Sequence, residues 1–161
     1  MLSSVVLCSV LALGAGGRGA TGELSGSLVV PIAVDPLVEW VARNPSVIAS
    51  AAGSKVEWRN GNQFRISRPT QRGTIQATME DRIDRIHNGY QYSCNLVPGS
   101  SVVLRDYKLV CKIVAISESQ SKLTIQVKSS VTLRITDRQL TDNMEESLRK
   151  VLTLFYRLRQ Q

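Results

Sequence analysis

Histidine is nearly missing from this chain: of its 161 residues, His87 alone is one. Every Ser–His–Asp triad, Cys–His nucleophile or histidine-based zinc site would have to be built on that single residue. Cysteine is scarce as well, with three in all: Cys8, Cys94 and Cys111. Cys94 and Cys111 read as ordinary buried thiols, the commoner state of a free cysteine. A tight hairpin would set Cys94 opposite Arg105 and put Cys111 roughly 20 Å further along the neighbouring strand, beyond the reach of a disulfide. A phosphate-binding loop is absent, because Gly14 to Gly19 follows an apolar run without the Lys-Ser/Thr pair or a helix start. Aromatic residues make up only 5% of the chain. Arg59, Arg65, Arg68 and Arg72 form a local basic excess with no acid among them, yet Phe64 is the one aromatic interleaved there to stack on a base. Nucleic-acid binding is therefore not expected. No apolar run is long enough to span a bilayer as a helix.

What is present begins with Val5 to Leu13, an apolar run of the length of a signal h-region. Small residues at Ala15-Gly16-Gly17 and Ala20-Thr21-Gly22 follow it as tolerable cleavage sites. No Lys or Arg precedes it, so a docking tail or a buried extension fits equally, and secreted, periplasmic and intracellular placement all stay open. We divide the chain into this segment, residues 1–22, and a single domain, residues 23–161. The formal charge of +7 is spread along the chain; it suits anionic lipid or an acidic protein partner, and protein partners would be contacted through the N-terminal segment and the basic surface.

Leu24 to Val34 reads as a first strand with Leu28, Val30 and Ile32 on one face. Asp35-Pro36 then opens a helix, Asp as N-cap and Pro at the first helical position. Asn44-Pro45 repeats the signal for a second short helix through Ser46 to Ala52, ended by Gly53. From Lys55 to Ile135 the pattern alternates as strands do. Asn60-Gly61 marks a hairpin with a three-residue loop, which would set Trp58 opposite Phe64 and Val56 opposite Ile66. Asn88-Gly89 marks another, with Arg85 opposite Tyr92, Ile83 opposite Cys94 and Asp81 opposite Leu96. Gln76, Thr78, Glu80, Arg82, Asp84, Gln91, Ser93 and Asn95 form the wet face. The Pro98-Gly99-Ser100-Ser101 turn would pair Cys94 with Arg105 and Tyr92 with Tyr107, and open a long strand from Val102 to Ile116. Lys122 to Ile135 alternates most cleanly, with Leu123, Ile125 and Val127 pointing one way. Met144, Leu148, Val151, Leu152, Phe155 and Leu158 then share one face of a helix over Thr141–Gln160.

This order predicts an α+β fold: a curved antiparallel sheet of about seven strands, two short helices after the first strand, and a long C-terminal helix that the sheet wraps. Val30-Pro31-Ile32-Ala33-Val34-Asp35-Pro36 leading into paired helices, together with the terminal helix, resembles the START-related helix-grip superfamily of polyketide cyclases and lipid-transfer domains. The resemblance covers Leu24 to Gln161 and implies a hydrophobic cavity between sheet and long helix that holds a lipid, sterol or other ring compound.

On that basis the expected ligand-lining residues are Met79, Asp81, Tyr92, Arg105, Tyr107, Val127, Met144, Leu148, Val151 and Phe155. Asp81 would pair with Arg105 or cap a short helix, Tyr92 and Tyr107 would be cross-strand neighbours, and Arg85 and His87 would sit in water near the hairpin tip. The expected function is a non-enzymatic carrier of an apolar small molecule, without metal or cofactor. Two alternatives stand beside it. One is an accessory subunit that uses the fold as a scaffold in a larger assembly. The other is a cyclase- or hydratase-type enzyme with Asp81, Tyr92, Tyr107 or Arg105 as acid, base or oxyanion partner.

Overall fold

The computed structural model describes residues 22–43, 54–70, 73–102 and 105–129, with Arg138, Asp142, Glu145, Glu146, Arg149, Lys150, Leu152, Thr153, Tyr156 and Arg157 beyond them. Strand β1 spans Gly22–Val30 and helix α1 Val34–Arg43. Six strands follow: β2 Lys55–Asn60, β3 Gln63–Thr70, β4 Gly73–Ile86, β5 Gly89–Leu96, β6 Tyr107–Ala115 and β7 Ser121–Ser129. They form one seven-stranded sheet in the order β1-β7-β6-β5-β4-β3-β2, antiparallel at every pairing. From β2 onward each strand pairs with the next, and the last returns beside the first. The α+β class and the antiparallel sheet of seven strands therefore agree with the sequence reading.

Alternation explains which face is dry. Leu24, Leu28 and Val30 of β1, Met79 of β4, Leu109 and Cys111 of β6, and Ile125 and Val127 of β7 are all buried on one side. Helix α1 adds Leu37 and Val38 to the same core. It starts slightly before the expected cap: the Leu37 N–H donates to the Ala33 carbonyl at 3.3 Å. Asp35 accordingly lies in the first turn, where its charge suits the helix dipole. It accepts a hydrogen bond from the Tyr90 hydroxyl at 3.0 Å, which ties α1 to β5.

The expected second short helix, Ser46 to Ala52, falls outside the described residues, as does the Val131–Ile135 end of the last expected strand. In the Thr141–Gln160 stretch the described residues from Asp142 to Arg157 are helical. Glu146–Lys150 at 2.8 Å and Glu145–Arg149 at 3.9 Å make ion pairs one turn apart. Leu152 packs against the core. Met144, Leu148, Val151, Phe155 and Leu158, the rest of the expected apolar face, lie outside the described residues.

Three registers differ from expectation, each for an identifiable reason. The first hairpin turns on two residues, Gly61 and Asn62, with Gly61 at φ 58°. Asn60 thus faces Gln63 and Arg59 faces Phe64, and a bulge between Val56 and Trp58 restores Val56 to Ile66. The longer loop is unnecessary because the bulge supplies the extra residue. Trp58 consequently leaves the inner face and is exposed, while Phe64 is fully buried.

The second hairpin turns on His87 and Asn88, with Asn88 at φ 57°. Arg85 then faces Tyr90, Ile83 faces Tyr92 and Asp81 faces Cys94. Gly89 is already in β5, pressed against β6: a Cβ on it would lie 1.9 Å from the Ile113 carbonyl oxygen. The glycine therefore serves a close strand approach instead of the turn.

The third turn does not open a strand at once. The Val97 N–H donates to the Thr78 carbonyl at 2.9 Å. Ser100 Oγ accepts from the Thr78 N–H at 3.1 Å and donates to its carbonyl at 3.0 Å. Residues 97–100 thus cap the part of β4 that outruns β5 and bury Thr78, expected on the wet face. Strand β6 begins only at Tyr107, so Tyr92 faces Cys111 and Cys94 faces Leu109. Val102 is fully exposed.

Candidate functional site

Among the described residues the inner face of the sheet is mostly apolar, and the candidate site is the group of polar side chains buried within it, Asp81, Tyr92 and Tyr107, with Arg59 at their edge. At its β2–β4 end, Asp81 is carried on β4 with its backbone N–H donating to the Asn62 carbonyl at 2.8 Å. Its carboxylate meets the end of the Arg59 guanidinium: Nη1 donates to Oδ2 at 3.1 Å and Nη2 to Oδ1 at 3.0 Å. The Asp81 side chain is 3% exposed and that of Arg59 23%. Arg59 reaches it by crossing the Phe64 ring, its guanidinium carbon 5.5 Å from the ring centre. A buried carboxylate requires such a partner, and the bidentate form is the strong geometry for it.

Arg105, the expected partner, is exposed in the loop before β6 and takes no part in this pair. Arg59 is the functional residue that the sequence reading missed. No residue type signals it: the two-residue turn with a bulge moves Arg59 onto the inner face in place of Trp58. The basic cluster is accordingly not one patch. Arg59 points inward, Arg65 lies over the exposed Trp58 with its guanidinium carbon 6.0 Å from the ring centre, and burial lowers the pKa of the half-buried Arg68.

Tyr92 and Tyr107 are both buried on the inner face. They are not directly opposite each other: Tyr92 faces Cys111 and Tyr107 faces Ser129. Burial first, then the Asp81 carboxylate, holds the Tyr92 phenol well above its ordinary pKa, and Arg59 opposes this. Tyr107 is raised by burial alone. Its hydroxyl is buried and has no hydrogen-bond partner among the described residues. Ser129, across from it, donates to the Asp106 carbonyl at 3.3 Å.

Met79 and Val127, the remaining expected ligand-lining residues that are described, are buried in the same core. Arg85 and His87 are exposed, as expected at a hairpin tip, and Arg85 stacks on Tyr90 at 5.6 Å from the ring centre. Cys111 is a free, buried thiol whose pKa burial pushes up. Cys94 is disulfide-bonded, contrary to its reading as a free thiol. Cys111 stands only two positions along β6 from the partner of Cys94, so the two are unlinked although the strands bring them near. Among the described residues, no group of three His, Cys, Asp or Glu side chains is placed to hold a metal ion. No described helix is long and apolar enough to cross a membrane.

What this arrangement can do chemically is hold an apolar body against an aliphatic wall and meet its polar end with phenols and a closed ion pair. No family model matches the chain, and no curated protein matches it. Solved structures do. A START superfamily protein from Mycobacterium smegmatis is similar at TM-score 0.52 and 15% identity, over 86% of this chain and 97% of that one. The Zhui aromatase/cyclase from Streptomyces sp. R1128 is similar at TM-score 0.55 and 11% identity, over 83% and 88%. Norcoclaurine synthase from Thalictrum flavum, in complex with dopamine and hydroxybenzaldehyde, is similar at TM-score 0.54 and 12% identity, over 89% and 96%. At these identities the likeness shows the fold, which is the START-related helix-grip fold.

Proposed function

We propose that this START-fold chain is a binding or carrier domain for a hydrophobic small molecule, held against the inner face of the sheet beneath the C-terminal helical stretch. The observation that carries the reading is the composition of that face. Aliphatic side chains of β1, β6 and β7 surround a short polar band of Arg59–Asp81, Tyr92 and Tyr107. Small-molecule sites have this balance: apolar walls supply most of the binding free energy, and a few placed polar groups orient the ligand. Met79 and Val127 would belong to the wall, and Met144, Leu148, Val151 and Phe155 would close it from the helical side.

The likeness in fold to a START superfamily protein and to a synthase solved with two aromatic compounds supports the same reading. Nile red titrated into the full chain tests it. The reading predicts saturable emission at one dye per chain, displaced by long-chain or polycyclic apolar compounds. Emission that never saturates and is not displaced would contradict it.

A further inference from the structure

We infer that the Tyr107 hydroxyl is the hydrogen-bond donor that anchors the ligand, and that the ligand is a neutral apolar molecule carrying a carbonyl or ether oxygen. This rests on the carrier reading and narrows it to a chemical class.

Tyr107 opens β6 and is 3% exposed. Its hydroxyl is enclosed yet donates to nothing among the described residues. Buried polar groups are nearly always hydrogen-bonded, and an exception calls for a missing partner. Burial keeps this phenol protonated, so what it lacks is an acceptor. Its described neighbours along the sheet are mostly aliphatic. Leu109 follows on the same face of β6, and Val127 stands opposite Leu109. Ser129 is turned to the Asp106 carbonyl.

The charge balance selects a neutral acceptor. The cation described on this part of the inner face, Arg59, is engaged bidentately by Asp81. Among the described residues, burial is the one influence on the titration of Tyr107, and no cation contributes. A carboxylate or phosphate set there would be buried without a counter-charge, which is strongly unfavourable. A ketone or ether oxygen accepts the O–H and leaves the aliphatic wall to the rest of the ligand.

The test uses the full chain and shape-matched probe pairs that differ only in the acceptor. These are acetylnaphthalene against isopropenylnaphthalene, and methyl decyl ketone against the alkene in which a methylidene group replaces its oxygen. Naphthoate and the corresponding fatty acid serve as anionic controls. The ketone of at least one pair is expected to bind about tenfold more tightly than its alkene, as one added hydrogen bond allows, and the anions more weakly than the ketone. In Tyr107→Phe the ketone and alkene should bind equally, with the alkene affinity unchanged. Alkene binding in that variant also reports that the site is intact. In parallel, carbon-13 at the hydroxyl-bearing ring carbon of the four tyrosines should show the Tyr107 resonance shifting with ketone and not with alkene. It can be assigned through Phe variants at the other three.

Equal binding of ketone and alkene by the unaltered chain would overturn the inference while leaving the carrier reading standing. So would a ketone preference that survives Tyr107→Phe, or tighter binding of the anions. Binding of neither member of either pair would overturn the carrier reading and this inference with it.

Discussion

Arg59 and Asp81 lie twenty-two residues apart in sequence and close a two-pronged ion pair across the inner face of the sheet, with N–O distances of 3.0 and 3.1 Å. The pair requires the bulge between Val56 and Trp58, the two-residue turn at Gly61-Asn62, and the pairing of β3 with β4. It also sets the electrostatics of the site, because a closed pair presents no net charge to a ligand.

Removing one partner strands the other. Arg59→Met leaves the Asp81 carboxylate buried without its guanidinium and should cost about 3 kcal/mol of stability, read as a lower urea midpoint with an unchanged slope. The double variant Arg59→Met/Asp81→Leu should lose clearly less than the sum of the two single losses. Strict additivity would mean that the two groups do not interact in solution.

Gly61 lies in one hairpin turn and Gly89 just after another, yet they should respond very differently to alanine. At Gly89 the new methyl would meet backbone, 1.9 Å from the Ile113 oxygen, so β5 and β6 must part. Gly89→Ala should cost about 3 kcal/mol or more and raise amide exchange along β6. At Gly61 nothing lies within 4 Å and only the positive φ of 58° opposes a side chain, so the cost should be about 1 kcal/mol. Thermal melts of both variants check the ranking.

The buried phenols make the fold sensitive to alkali. Tyr92 and Tyr107 have raised pKa values in the folded chain. Below pH ~10 they are neutral whether folded or not, and their contribution is fully present. Above that, the unfolded chain ionises them and the folded chain does not, so stability falls by about 1.4 kcal/mol per pH unit for each. Urea titrations from neutral to strongly alkaline pH should show this decline. Tyr107→Phe should make it shallower, and a profile identical to that of the unaltered chain would contradict the burial of this phenol.

Much of this arrangement was legible in the sequence, and the reason is the period of two. Each register error in the hairpins at His87-Asn88 and at residues 97–106 moved the pairing by an even number of residues, so every side chain that stayed in a strand kept its face. Asp81, Tyr92 and Tyr107 were therefore placed inward although their neighbours were wrong, and Val127 alternated onto the same face. Arg59 was lost because a bulge breaks the period locally, and no residue type announces it. The late start of β6 was hidden because Pro98-Gly99 is a turn signal of local range. The Ser100 hydroxyl that docks that turn onto Thr78 is a contact between residues twenty-two apart. Arg105 was misplaced by the same loop.

The most direct test of the account is native mass spectrometry of the full-length chain from its own source, followed by lipid extraction. A mass increment that vanishes on denaturation is expected, with an extractable neutral apolar compound bearing an oxygen acceptor. A chain that flies bare, alone or with fixed protein partners, and yields nothing on extraction would contradict it.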